Sequence, residues 1–498
     1  MLEGLLVEEG ARTEFEPFQV REPSLEGRLD LRDLTTFTID PETAKDFDDA
    51  ISVRAEGDGL RAWVHIADVS YFVAAGSPLD RGAAERSFST YVPGRVAPML
   101  PPELADEACS LRPNVERLCV TVELPFDGSF ELGEPEFYRS VIRSDERLSY
   151  GQAQRILEGR ESIRDEIADA LRRAEKLSTE LRRRRFARGA LRIETGETSF
   201  EFDRRGGVAR AWRESEPHAH MLIEELMILA NECVARLLAG RNREALYRVH
   251  ERPDPQAIQL LLAKLADLEV PTPPAPDADQ LSPSVAARLA GEISERVTAY
   301  VEQSGRGREA FPSLVLRALK QARYDPKNLG HSGLASRAYC HFTSPIRRYP
   351  DLVVHRSLLR ELGEEEALPD DLNQLAEHAS QRERAAADLE YRADDLCLAW
   401  LLDARLYEEG WEATFPGEIT GVIGSGLFVR FGDIFEGYLP ARRLPGDYFE
   451  LNDTGTAMIG RRGRGTYRLG DPIKVRVQEI RKSEGKVELG LDNSSPTG

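Results

Sequence analysis

Cysteine is scarce in this chain. Five residues, Cys109, Cys119, Cys233, Cys340 and Cys397, are scattered over 498 positions without a CxxC pair. Their odd number and wide spacing exclude a disulfide framework and argue against a structural zinc site, so the expected compartment is the cytoplasm. Long apolar runs are also absent, so no membrane-spanning helix and no membrane partner are expected. The opening MLEGLLVEEGARTEF is acidic and lacks the basic region of a secretory signal. Basic residues are in deficit, with 66 Lys and Arg against 86 Asp and Glu and a net charge of −20. Alone, that balance argues mildly against a nucleic-acid partner. Distribution counts for more, because a groove can be basic inside an acidic exterior. From Trp411 onward, twelve basic residues balance twelve acidic ones, so the deficit lies upstream.

What is present suits a globular protein of two to four domains: 41% hydrophobic and 31% charged residues. No repeats occur. Residues 1–33 are polar and aperiodic, with 34–410 a mixed block, 411–492 a small all-β domain and 493–498 a tail. Residues 34–75 read as strands: TTFTI, then AISVRA, then RAWVHIADVSYFV after a GDG turn. Residues 117–145 alternate apolar and polar around Asp127-Gly128, as in a hairpin, and 150–186 turn charged and helical. Residues 220–240 are apolar nearly all round and predict a buried helix. Pro-rich 271–283 reads as an exposed connection, and 350–363 and 371–409 as a second helical block. From residue 413 the period returns to two with many glycines, the pattern of a small barrel.

Two segments carry chemistry. In the first, Asp40, Asp46, Asp48 and Asp49 fall within ten residues between two apolar strands. A loop there can turn several hard oxygen ligands to one point, which suits Mg²⁺. A solvated acidic turn is the competing reading. A calcium loop of the EF-hand kind fails, because its glycine position holds Lys45 and its terminal glutamate position holds Ile51. In the second segment, Pro345 and Pro350 bracket Arg347 and Arg348, and Thr343 and Ser344 add hydroxyls. Paired guanidiniums suit a phosphate and its developing charge. They equally suit pairing with surface acids before a helix.

Together these segments resemble the RNB family of exoribonucleases, the ribonuclease II type. The resemblance rests on TIDPETAKDFDDAIS, VHIADVSYFV, SFSTYVPGRVAPMLPPELADEACSLRP, RSDERLSY, RFARGAL, HMLIEELMILAN, LYRVHERPDP and ARYDPKNLGHSGLASRAYCHFTSPIRRYPDLVVHR, in family order from residue 38 to about 356. It implies an α+β fold: an RNB catalytic domain with a mixed, barrel-like sheet core surrounded by helices, followed by an S1-type barrel. It implies that Asp40, Asp46 and Asp49 hold Mg²⁺, with Mn²⁺ as an alternative, and that Asp48 serves a second ion and the attacking water. Arg347 would contact the scissile phosphate, with Arg348 beside it on the RNA. Tyr91 would stack on nucleotides and limit the final product, Tyr150 would lie near the 3′ nucleotide, and Glu224 would read the terminal 2′-hydroxyl. For both tyrosines ordinary packing is the alternative. For Glu224, an unpaired carboxylate on a buried helix would be costly, which favours a functional partner.

GEITGVIGSGLFV, EGYLP and LGDPIKVRVQEI resemble an S1-type OB-fold. Such folds bind single strands on aromatic platforms with basic loops. Phe428, Phe431 and Tyr438 are the expected platform, with at most about half of them facing RNA. Arg430, Arg461, Arg462 and Arg464 are the expected phosphate contacts. The resemblance departs in three places. Fewer than 40 residues precede the catalytic block, too few for a cold-shock-type barrel. Arg192 and Ile193 stand where ribonuclease II has an aromatic. The ending NSSPTG is no basic tail, which disfavours attack on structured RNA. The expectation is a processive 3′→5′ hydrolase of single-stranded RNA, acting as a monomer and not on DNA. The alternatives are an RNA-binding regulator that keeps the fold without the chemistry, and an unrelated metal phosphoesterase.

Overall fold

The computed structural model describes residues 2–8, 14–193, 196, 198–213, 218–274, 276, 281–463 and 465–492. The segment 1–33, read as aperiodic, supplies a helix α1 (Leu2–Glu8) and an edge strand β1 (Leu29–Asp30). The helix was missed because its apolar pattern is short: among its described side chains Leu5 and Leu6 bury, against residues distant in sequence. Alternation then builds β2 (Phe37–Asp40), β3 (Asp49–Glu56) and β4 (Gly59–Ala67). Gly57, at φ +58°, makes the two-residue turn between β3 and β4. Gly59 is equally required, since a Cβ there would meet the Phe126 carbonyl oxygen.

The strand expected to run to Val73 stops at Ala67. Asp68 accepts the Tyr71 N–H at 3.2 Å and caps a single-turn helix α2 (Val69–Phe72). This carboxylate is fully buried and holds Arg28 at 2.6 Å and Arg139 at 3.0 Å. Local capping and a buried ion pair override the β-branched pattern. Helix α3 (Pro78–Arg86) leads into a separate hairpin of β5 (Thr90–Val92) and β6 (Arg95–Ala97). Strands β7 (Glu116–Phe126), β8 (Glu136–Arg143) and β9 (Glu146–Ser149) complete a seven-stranded mixed sheet ordered β1-β8-β7-β4-β3-β2-β9. Its interior carries a polar ladder. Thr36 and Ser52 hydroxyls lie 2.7 Å apart, His65 bridges Ser52 (3.1 Å) and Thr121 (2.9 Å), and Thr121 meets Ser140 at 2.6 Å. Burial pushes the His65 pKa down to about 3, so the ring is neutral there.

Helices cover the sheet: α4 (Tyr150–Leu157), α5 (Asp165–Ala187) and α6 (His218–Gly240), the last buried along most of its length as its composition implied. A small hairpin, β10 (Thr198–Phe202) with β11 (Val208–Arg213), precedes α6. Strand β12 (Tyr247–Val249) follows it. Helices α7 (Pro255–Asp267), α8 (Pro283–Ser304) and α9 (Ala310–Arg317) share a second core. Strand β13 (Arg323–Asp325) pairs with β12. Helix α10 (Tyr349–Glu361) then packs into the main core, and the 38-residue α11 (Leu372–Glu409) leads to the terminal domain.

That domain is a closed five-stranded barrel of β14 (Thr414–Ile423), β15 (Gly426–Phe431), β16 (Phe435–Pro440), β20 (Pro472–Arg481) and β21 (Lys486–Leu491). A three-stranded insert, β17 (Phe449–Leu451), β18 (Ala457–Gly460) and β19 (Thr466–Arg468), interrupts it. The barrel is tied to the α7–α9 unit. The Glu418 carboxylate accepts the N–H groups of Arg308 (2.9 Å), Glu309 (3.1 Å) and Ala310 (3.0 Å) at the start of α9, and Arg306 pairs with Asp471 at 2.9 Å.

Candidate active site

The acidic loop joins the last residue of β2, Asp40, to the first of β3, Asp49. Because the two strands are antiparallel neighbours, both aspartates stand at the same end of adjacent strands. The loop between them is pinned. Ser110 donates to the Lys45 carbonyl (2.6 Å) and accepts the Phe47 N–H (3.1 Å), while Phe47 itself is buried. Asp48 is 3% exposed. Its Oδ1 accepts the Ile346 N–H at 2.8 Å, and its Oδ2 lies 3.4 Å from Arg347 Nε without a hydrogen-bond partner. Asp40 Oδ2 is likewise buried and without one.

Burial, with the neighbouring carboxylate Asp49 adding to it, pushes the Asp40 pKa up to about 8. Burial raises Asp49 to about 6 against the opposing field of Arg347 and Arg348. Asp48 is held well above its usual range by burial, with Arg347 opposing and Asp46 contributing. Buried carboxylates that repel one another, with two oxygens lacking donors, are a surrounding that a hard divalent cation would relieve. Among the described residues no group of three or more His, Cys, Asp or Glu side chains is already gathered around a metal position. The fit to Mg²⁺ rests instead on the buried, unpartnered oxygens of Asp40 and Asp48, since this ion needs only one or two carboxylates beside waters and substrate phosphate.

Arg347 keeps 46% of its side chain open to water, yet it is desolvated like an interior group. Its backbone pairs with the approach to the β5–β6 hairpin: Ser89 N–H donates to the Arg347 carbonyl at 3.0 Å, and Tyr349 N–H to the Ser87 carbonyl at 2.8 Å. Two residues on, Tyr91 donates its hydroxyl to Asp46 Oδ2 at 2.8 Å and its N–H to Glu390 on α11 at 2.7 Å. Tyr150 opens α4 directly after Ser149, the cross-strand partner of Asp40, and its ring tilts against His220 at 5.0 Å. Asp40, Asp46, Asp48, Asp49, Arg347 and Tyr91 are thus linked in one constellation, and Tyr150 follows the strand that pairs with the end of β2.

Other expected residues stand differently. Glu224 has partners within the protein, Arg185 at 3.4 Å and Arg182 at 3.9 Å, so the argument from an unpaired buried carboxylate falls away. Arg348 is turned to Asp351 at 2.7 Å. In the barrel, Phe428 and Tyr438 are direct cross-strand partners with rings 5.4 Å apart, and Phe428 is exposed. Phe431 cannot stack on RNA: it is 1% exposed and packs between Phe415 and Phe435, because it falls on the inward parity of β15. Arg430 faces Glu436 at 3.4 Å and Glu309 at 3.9 Å. Arg461 pairs with Glu450 and covers Tyr448, the Arg462 N–H donates to Asp447, and Arg464 lies outside the described residues. Arg192 covers the Phe186 ring at 4.6 Å, and Ile193 packs on the α7–α9 core. The pattern did not single out Asn231 or Glu390. Their contacts reach the site across the fold, and Glu390 meets Tyr91 from 299 residues away.

A cavity of about 630 Å³ between the β7–β8 connection and helices α5 and α6 is separate from this site. None of the four aspartates lines it, and among its charged residues Arg185 pairs with Glu225 at 2.5 Å and Arg188 with Glu232 at 3.1 Å.

The fold and the site define a class: a mixed-sheet domain with an open carboxylate-and-arginine centre, joined to a five-stranded nucleic-acid-type barrel. Comparison with known proteins agrees. Residues 28–364 match the RNB domain and residues 411–492 match the S1 RNA binding domain. The chain belongs to the RNB-domain family. It is similar to Ribonuclease R of Escherichia coli (37% identical over 495 residues, covering 96% of this chain and 59% of that protein) and of Aquifex aeolicus (36% over 486 residues, 95% and 66%). It therefore spans about three-fifths to two-thirds of the length of these relatives. Among solved structures, Mycoplasma genitalium RNase R in complex with ribose methylated single-stranded RNA superposes with a TM-score of 0.89 at 28% identity, covering 99% of this chain and 77% of that one.

Proposed function

We propose that this chain is a Mg²⁺-dependent exoribonuclease that hydrolyses single-stranded RNA processively from the 3′ end and releases nucleoside 5′-monophosphates. The observation that carries the reading is the joining of all four aspartates and Arg347 in one partly open site on an RNB fold. In this reading residues 34–410 form the catalytic unit, and residues 411–492 capture RNA. The protein acts as a monomer in the cytoplasm, a compartment consistent with five unpaired buried cysteines, and does not use DNA.

Asp40, Asp46, Asp48 and Asp49 would hold Mg²⁺, or Mn²⁺ in its place. Held there, the ion would supply Lewis acidity to the phosphodiester. Asp48, fixed through Oδ1 by the Ile346 N–H, presents its unpartnered Oδ2 to the attacking water and can take its proton. Water oxygen bonds to phosphorus, the P–O3′ bond breaks, and the 3′ oxygen leaves as a hydroxyl after gaining a proton from solvent. The Arg347 guanidinium stands at the phosphate and offsets charge developing on its oxygens. Tyr91 and Tyr150 flank the last nucleotides. Glu224, oriented by Arg185 and Arg182, accepts from the terminal 2′-hydroxyl, which makes the choice of RNA over DNA.

The presence of Asp40, Asp46, Asp48, Asp49 and Arg347 together speaks against the regulator alternative, which would tolerate the loss of at least one carboxylate. The test uses 5′-labelled single-stranded RNA and matched DNA with Mg²⁺, with products identified by chromatography. A ladder shortening from the 3′ end with 5′-monophosphates released, on RNA alone, is the expected result. Bound but intact RNA would establish the regulator instead.

A further inference from the structure

The segment from Phe342 to Asp351 that presents Arg347 is held at several points. Asn231 Oδ1 accepts the Phe342 N–H at 2.8 Å, and His355 Nε2 lies 2.8 Å from the Phe342 carbonyl oxygen. The tightest constraint is Asp351, fully buried in the first turn of α10. Its Oδ2 accepts both the Ser344 N–H at 2.9 Å and Arg348 Nη2 at 2.7 Å. One carboxylate oxygen thereby closes residues 344–348 into a loop. At its apex stand the two groups that meet Asp48, the Ile346 N–H at 2.8 Å and Arg347 Nε at 3.4 Å. The neighbouring guanidiniums have separate tasks: the Arg347 side chain is 46% exposed, whereas that of Arg348 is 20% exposed and committed to Asp351. Turning Arg348 outward to a phosphate would strand a buried carboxylate.

We propose that Arg348 and Asp351 are positioning residues: their ion pair sets the loop that aims the Ile346 N–H and Arg347 at Asp48, and Arg348 does not bind RNA. The inference rests on the exoribonuclease reading and departs from the expectation, set by sequence, that Arg348 contacts RNA. A loop displaced by about 1 Å leaves RNA bound but slows the chemical step by one to two orders of magnitude.

The experiment uses the full chain and its variants Asp351→Asn, Arg348→Met, Arg348→Lys and the double variant Arg348→Met/Asp351→Asn. Three quantities are read: single-turnover cleavage at saturating single-stranded RNA with Mg²⁺, RNA affinity in EDTA across a salt series, and the thermal midpoint. The expected result for Asp351→Asn and Arg348→Met is cleavage about tenfold to a hundredfold slower, with affinity within about twofold and an unchanged salt slope. Arg348→Lys, which keeps a cation for Asp351, recovers part of the rate. The double variant is no slower than the slower single one, because one pair is lost in each. Affinity about tenfold weaker in the Arg348 variants, with a salt slope shallower by about one and rate losses that multiply with Asp351→Asn, would overturn the proposal. If Asp351→Asn does not fold, the two Arg348 variants decide. If the wild type binds but does not cleave RNA, the functional reading fails, and the affinity arm still decides whether Arg348 touches RNA.

Discussion

Replacing Asp48 by Asn is expected to stabilise the metal-free protein, and more so as the pH rises. The carboxyl is buried among Asp40, Asp46 and Asp49, and its folded pKa lies well above the ordinary 3.8. Above pH 3.8 the folded chain therefore holds a proton that the unfolded chain has released. Stability contributed by this group is complete below 3.8 and is lost as the pH climbs toward the folded value. While the folded carboxyl stays protonated, each pH unit costs about 1.4 kcal/mol. Between pH 5 and pH 7 the upper limit is about 2.7 kcal/mol. Proton sharing within the cluster and the Arg347 guanidinium at 3.4 Å reduce it, so the expected change has this sign and stays below that limit. Asn keeps the Ile346 hydrogen bond through its amide oxygen and carries no titrating group. In EDTA, urea or thermal melts at pH 5 and pH 7 should show the advantage of Asp48→Asn growing with pH. Mg²⁺ at about one hundred times its Kd should return about 2.7 kcal/mol to the wild type and much less to the variant. A variant that gains nothing over this range, or that loses stability in EDTA at pH 7, would refute the reasoning.

Three further outcomes are expected. His65→Ala should cost about 3 kcal/mol in denaturant melts, because Ser52 and Thr121 lose their buried partner and a cavity opens. Phe428→Ala and Tyr438→Ala should each weaken single-stranded RNA binding by about 1–3 kcal/mol without unfolding the barrel, whereas Phe431→Ala should lower stability by about 3–5 kcal/mol. Equal binding losses for all three in a titration would contradict the inward placement of Phe431. Glu418→Gln should loosen the barrel from α9, seen as faster proteolysis at the junction and a lower RNA affinity, with the cleavage rate at saturating RNA nearly unchanged.

The parts of this molecule legible in its sequence are those set by local pattern. Alternation located β2, β3, β7 and the barrel, and the all-round apolar run 220–240 located α6. The aspartates were visible because the carboxylates lie in one short loop between strands. What pattern could not carry was long-range. The end of β4 depends on Asp68 meeting Arg28 and Arg139, and α1 depends on distant residues of α11 and the β5–β6 hairpin. Glu224 and Arg348 were assigned by motif, but their neighbours Arg185, Arg182 and Asp351 show other commitments. Phe431 needed only the parity of β15, which the alternation contained but did not orient.

The most direct test of the central claim is rapid-quench release of the terminal nucleotide from 3′-labelled single-stranded RNA at saturating Mg²⁺, for the wild type beside Asp48→Asn. The account predicts labelled nucleoside 5′-monophosphate from the wild type. It predicts release about a thousandfold slower from the variant, with RNA affinity within about threefold. Equal release by both proteins, or none by a wild type that binds the RNA, would contradict it.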